Sequence, residues 1–147
     1  MKKVTNFQFG IEIEFYARLA KYGYIIDFLS SNLKNSFHVD GRRKDATTKY
    51  KWCLTRDGSC GLELVSPILT DCEEDLYELG HILSLLQQLC RDKQISINRD
   101  CGIHIHIGVG HLSVAKIKSM LFCWDTFQDL FLSIVAKHRR NNQYCLP

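Results

Sequence analysis

Two segments of the chain alternate hydrophobic and polar residues with a period of two. In Gln8 to Tyr16, the residues Phe9, Ile11, Ile13 and Phe15 fall on one side and Gly10, Glu12 and Glu14 on the other. In Gly102 to Val109, the residues Ile103, Ile105, Ile107 and Val109 oppose His104, His106 and Gly108. That is the period of a half-buried strand. Between Leu19 and Leu33 the spacing changes to three and four, with Leu19, Tyr22, Ile26, Leu29 and Leu33 on one stripe, which predicts an amphipathic helix weakened near its start by Gly23. Asn35 to Lys49 reads as a polar loop. Tyr50 to Leu54 and Leu62 to Val65 are short strands flanking the turn dipeptide Asp57-Gly58, so they predict a hairpin.

Pro67 lacks a backbone donor and is expected to end pairing there. Thr70 with Glu73 forms the capping-box pattern of a helix whose stripe is Leu76, Leu79, Leu83, Leu86 and Cys90, ending near Arg91. Ser113 is placed to cap a last helix with the stripe Val114, Ile117, Leu121, Trp124, Phe131 and Val135, interrupted by Gln128. Strand, helix, hairpin, helix, strand, helix is an α+β order, and it predicts an antiparallel sheet backed by helices. The 147 residues suffice for one core, and no repeat or linker divides them, so a single domain over 1–147 is expected.

Composition changes this picture little. Apolar residues make up 46% and charged residues 24%, which excludes a disordered or fibrous chain. The net charge of +3 comes from interspersed residues, and the one basic run, Arg42-Arg43-Lys44, reads as a solvated loop, so no specific nucleic-acid partner is predicted. No stretch is apolar enough for a membrane span and no signal peptide is visible, so the expected location is cytoplasmic. Seven cysteines without any Cys-x-x-Cys pair fit free thiols better than a disulfide scaffold or a zinc finger.

The polar faces of the strands carry the chemistry. Glu12 and Glu14 point one way about 7 Å apart, as do His104 and His106. Like charges at that spacing repel unless a cation lies between them, and imidazole is a common metal ligand. Glu63 alternates with Leu62 and Leu64 and so joins the same class. Each of these alone is explained by a solvated strand, and Lys137-His138-Arg139-Arg140 alone by a helix end that favours positive side chains. In combination, carboxylates for hard cations and Arg for phosphate are what phosphoryl transfer requires.

Four ordered motifs, Phe9-Gly10-Ile11-Glu12-Ile13-Glu14-Phe15, Asp57-Gly58-Ser59 with Glu63-Leu64-Val65-Ser66-Pro67, Cys101-Gly102-Ile103-His104-Ile105-His106 and Arg139-Arg140-Asn141-Asn142-Gln143-Tyr144-Cys145, resemble the amidoligase family, relatives of glutamine synthetase and glutamate–cysteine ligase. The resemblance implies a glutamine-synthetase-like cupped sheet and an ATP- and magnesium-dependent carboxylate–amine ligase. On matching positions it implies Glu12, Glu14, Glu63, His104 and His106 as metal ligands, with Arg139 or Arg140 neutralising the transferring phosphoryl group. Asp57, Ser59, His104 and Arg139 would shape the nucleotide or substrate side. The substrates would be a small-molecule or peptide carboxylate and an amine.

In that family further strands normally follow the last motif, so the chain is expected to hold the N-terminal part of the cup, with a homo-oligomer or protein partner covering the open sheet. Two other functions remain open from the sequence. One is a catalytically inactive amidoligase-like binding protein, such as a phage or mobile-element inhibitor of a host system. The other is a zinc protein using His104, His106 and the carboxylates, which needs three converging ligands.

Overall fold

The structure, a computed structural model, describes residues 7–33, 37–39, 50–58, 60–135, 137 and 140. It divides into two compact units, Met1–Gly108 and Val109–Pro147. The first holds β1 (Gln8–Phe15), α1 (Tyr22–Leu33), β2 (Phe37–Val39), β3 (Trp52–Asp57), β4 (Gly61–Val65), β5 (Leu69–Thr70), α2 (Glu73–Arg91) and β6 (Ile103–Ile107); the second holds α3 (Val114–Ile134). The architecture is α+β, as the alternation of periods implies. Among the described residues no helix is long and apolar enough to cross a membrane.

β1 is the inner strand around which the sheet is built. Its residue Phe9 pairs with both Leu69 and Ile107, and Glu12 with both Val65 and His104, so β4 and β5 follow one another along one edge while β6 occupies the other. All three pairings are antiparallel. β3 continues the sheet antiparallel to β4, and β2 joins β3 in parallel, which makes the sheet mixed rather than purely antiparallel. Ile13, Phe15, Leu54, Leu62 and Leu64 project from one face into a core shared with Ile25, Leu29 and Leu33 of α1 and Ile82, Leu85, Leu86 and Leu89 of α2. Each of these side chains, buried, contributes about 1.5–3 kcal/mol of transfer free energy.

Several local expectations are corrected. The polar stretch before Lys49 contains β2, a three-residue strand too short to show a period. Pro67 interrupts the ladder without ending it: Ser66 donates its amide to Ile11 O at 2.8 Å, its hydroxyl accepts from Ile11 N at 2.8 Å, and pairing with β1 resumes at Leu69. The cap of α2 is Cys72, whose sulfur accepts from Asp75 N at 3.4 Å. Thr70 instead donates its amide and hydroxyl to the Asp75 carboxylate at 2.6 and 2.7 Å. The buried stripe of α2 is also rotated from the expected one, since Leu76 and Leu83 are exposed. Leu19 is exposed in a short 3-10 turn ahead of α1.

In the second unit α3 begins as expected, with Ser113 Oγ accepting from Lys116 N at 3.4 Å. At its other end the Arg140 guanidinium donates to Ser133 O at 2.7 Å and Val135 O at 3.0 Å, satisfying carbonyls that a helix terminus leaves open.

Candidate functional site

Antiparallel partners share a face, so the register alone fixes which side chains meet. On the face away from the core, β6 contributes His104 and His106, β1 contributes Gly10, Glu12 and Glu14, β4 contributes Glu63 and Val65, and β3 contributes Cys53, Thr55 and Asp57. Glu14 stands directly across from Glu63, and His104 directly across from Glu12. Exposed polar groups on such a face are ordinary. Here, however, Glu63 has no accessible surface and Glu14 only 7%. Carboxylates are almost never this buried unless paired, because desolvating the charge costs several kcal/mol.

Two clusters result. In the first, Glu12, Glu63 and His104 offer ligand atoms that all lie within 4.8 Å of one another. His104 Nδ1 is 3.3 Å from Glu12 Oε2 and its Nε2 is 3.4 Å from Glu14 Oε1, so both imidazole nitrogens face carboxylates. His106 Nε2 sits 3.4 Å from Glu12 Oε1. Among the described residues His106 belongs to no group of three converging ligands, so the two-histidine zinc centre has no geometric basis there.

The second cluster brings Glu14, Asp57 and Cys60 within 4.8 Å of one another. It is shaped by the hairpin. Asp57 Oδ1 accepts from Cys60 N at 3.2 Å, and Gly61 takes φ +111°, a conformation that favours glycine. Burial first, then the Glu14 and Asp57 carboxylates and the Cys101 thiol, push the Cys60 thiol up to about 12. It is therefore a neutral thiol at physiological pH. Gly102 completes the arrangement by donating its amide to Glu14 Oε2 at 2.6 Å; a Cβ there would stand 3.2 Å from His104 Nε2 and 3.3 Å from Glu14 Oε2.

The structure thus brings Glu12, Glu63 and His104 into one group, sets Glu14 beside Asp57 and Cys60, and leaves His106 flanking Glu12. Arg140 is engaged at the end of α3. Ser59 and Arg139 lie outside the described residues, as does the basic run 42–44. Sequence reasoning missed Cys60 and the amide of Gly102. The only signal for either was proximity to a motif, Asp57-x-x-Cys60 and Gly102-x-His104, with nothing in the spacing to mark a shared face with Glu14.

The donor set of the first cluster suits a hard divalent cation, since magnesium is commonly held by one or two carboxylates together with phosphate oxygens. No curated protein and no solved structure matches the chain. The sequence model of one family, described as "putative amidoligase enzyme", matches residues 5–147. That span contains every strand of the sheet and each residue of both clusters, so the chain that builds this acidic face belongs to the amidoligase family.

Proposed function

We propose that the protein is an ATP- and magnesium-dependent carboxylate–amine ligase whose cation site is Glu12, Glu63 and His104. The observation that carries this reading is the convergence of their ligand atoms from three different strands. Glu63, fixed within the sheet and fully buried, holds its carboxylate in one orientation, and Glu12 supplies a second at the rim. Magnesium bound to these carboxylates would neutralise phosphate charge and help align the transferring group. His104, whose two ring nitrogens face Glu12 and Glu14, would serve the cation through one nitrogen while the other is oriented by a carboxylate.

In the reaction proposed, an oxygen of the substrate carboxylate bonds to the γ-phosphorus of ATP and ADP leaves. The amine nitrogen then bonds to the carbonyl carbon, phosphate departs with that oxygen, and the amine loses a proton, giving an amide. Such chemistry depends on positioning and charge neutralisation and needs no covalent protein nucleophile. The acidic group Glu14–Asp57 favours an amine that arrives as its ammonium form on that side of the site and gives up one proton before its nitrogen attacks.

Calorimetry with ATP and magnesium tests the reading. Saturable, magnesium-dependent nucleotide binding that Glu12→Gln or Glu63→Gln abolishes is the expected result, followed by ADP release that requires an added amine. Absence of nucleotide binding at every magnesium concentration would remove the ligase and favour the inactive binding protein.

A further inference from the structure

We propose that a cavity just past the Phe15 end of β1 binds a small organic phosphate, with the phosphate group held by Arg18, Lys21 and Lys93. The cavity measures about 680 Å³, and Tyr16, Ser96 and Ile97 are among its other lining residues. No lining residue is acidic and none belongs to either acidic cluster, so this is a different site from the cation centre.

The backbone at Lys93 carries the argument. α2 ends in two bonds, Gln94 N to Leu89 O at 2.9 Å and Lys93 N to Cys90 O at 3.0 Å, which together make a Schellman motif. That motif puts one residue in the left-handed region, and glycine is its usual occupant. Here the position is taken by Lys93, at φ 54°, the one non-glycine residue with positive φ among the described residues. A side chain there is strained. The helix end does not need this lysine: Arg91 already places positive charge in the last turn of α2, and the two bonds occupy the carbonyls of Leu89 and Cys90. Strain kept at the wall of a cavity points instead to what the side chain does in it.

Two more cations come from the turn after β1. Lys21 donates its amide to Arg18 O at 2.8 Å and closes the 3-10 turn over Leu19–Lys21, so the two residues stand one turn apart. Tyr16 and Ser96 exchange amide–carbonyl bonds at 2.8 and 2.9 Å, which ties this segment to the one that follows Lys93. Among the described residues no carboxylate pairs with Arg18, Lys21 or Lys93. Three such charges on one cavity repel one another until an anion joins them, and a dianionic phosphate suits an Arg fork beside two lysine point charges. A bare phosphate would leave most of the space empty, since cavities of about 300–1,000 Å³ take whole small molecules. Tyr16 and Ile97, 46% and 70% exposed, offer apolar surface for the organic body of the ligand.

The test titrates phenyl phosphate and inorganic phosphate into the full chain by calorimetry, in chelator and at low salt, where the acidic clusters repel anions. The wild type is expected to bind phenyl phosphate at least tenfold more tightly than inorganic phosphate. Lys93→Gly removes a charge and relieves the backbone, so it is expected to lose about tenfold in phenyl phosphate affinity while its Tm rises, a combination that a purely structural lysine would not produce. Arg18→Gln is expected to lose at least as much affinity with an unchanged Tm. A wild-type dissociation constant for phenyl phosphate above about 1 mM would overturn the proposal. So would equal affinities for the two phosphates, or variants that bind phenyl phosphate as the wild type does, because the anion would then sit elsewhere. Each of these results leaves the ligase reading intact, since the two sites share no residue.

Discussion

Glu63→Gln separates a functional carboxylate from a structural one. Glu63 is fully buried, stands across from Glu14, and has an oxygen within 4.8 Å of one on Glu12. Two unit charges at that distance repel by about 3 kcal/mol at an effective dielectric of 20. Solvent screening at the partly exposed Glu12 carboxylate offsets part of this, so removing the Glu63 charge is expected to stabilise the metal-free protein by about 1–2 kcal/mol. For a chain of this length that corresponds to a rise in Tm of roughly 3–6 °C. Magnesium should distinguish the two proteins: it stabilises the wild type by mass action, about 1.4 kcal/mol at ten times its Kd, and leaves the variant unchanged. Thermal unfolding followed by circular dichroism, with chelator and with magnesium, reads both effects. A lower Tm for the variant in chelator together with an equal magnesium shift in both proteins would refute the reasoning, because Glu63 would then be a structural hydrogen-bonding residue.

Three further substitutions or modifications probe the surroundings. Gly102→Ala places a methyl against His104 and Glu14 and should weaken cation affinity by about tenfold, the usual cost of disturbing a ligand's supporting partner, as read by calorimetric metal titration; unchanged affinity would show that His104 does not depend on this contact. Asp75→Asn should cost about 1–2 kcal/mol at neutral pH in urea denaturation. Burial opposes ionisation of Asp75, but the Thr70 hydrogen bonds outweigh it and hold the carboxyl below its ordinary value. The stabilisation is therefore present above the ordinary carboxylate range and lost as pH falls through the folded value, so the gap between the two proteins should close in acid; a constant gap contradicts the assignment. Iodoacetamide at pH 9 should alkylate exposed Cys123 and spare native Cys60, whose thiol titrates at about 12, as mapped by peptide mass spectrometry; early labelling of Cys60 would show that it is not held protonated.

The polar face of the sheet was legible because a period of two leaves no choice of side: once Ile13 and Phe15 face the core, Glu12 and Glu14 must face away, and the same holds for Glu63 and for His104 and His106. Their convergence required the register, which antiparallel pairing supplies and the sequence does not display. The helix stripes were less legible. α2 carries aliphatic residues at Leu76, Leu79, Ile82, Leu83, Leu85, Leu86 and Leu89, so two stripes rotated by one residue fit nearly equally, and packing against the sheet selects the one with Ile82, Leu85 and Leu89. β2 escaped because three residues show no period and its pairing with β3 is parallel, so no tight hairpin turn joins the two strands. Cys72 escaped as a cap because sulfur is a weak acceptor and Thr70 nearby satisfies the familiar pattern.

A divalent cation held by Glu12, Glu63 and His104 is what the proposed ligase chemistry requires. Titrating the protein with manganese while following histidine side-chain NMR signals addresses this directly, since the paramagnetic ion broadens only nearby nuclei. His104 should broaden first and His106 next, His81 on α2 behind the sheet should stay sharp, and Glu63→Gln should remove the selectivity. Uniform broadening of His81 and His104, or none at manganese concentrations that saturate ATP binding, would contradict the site.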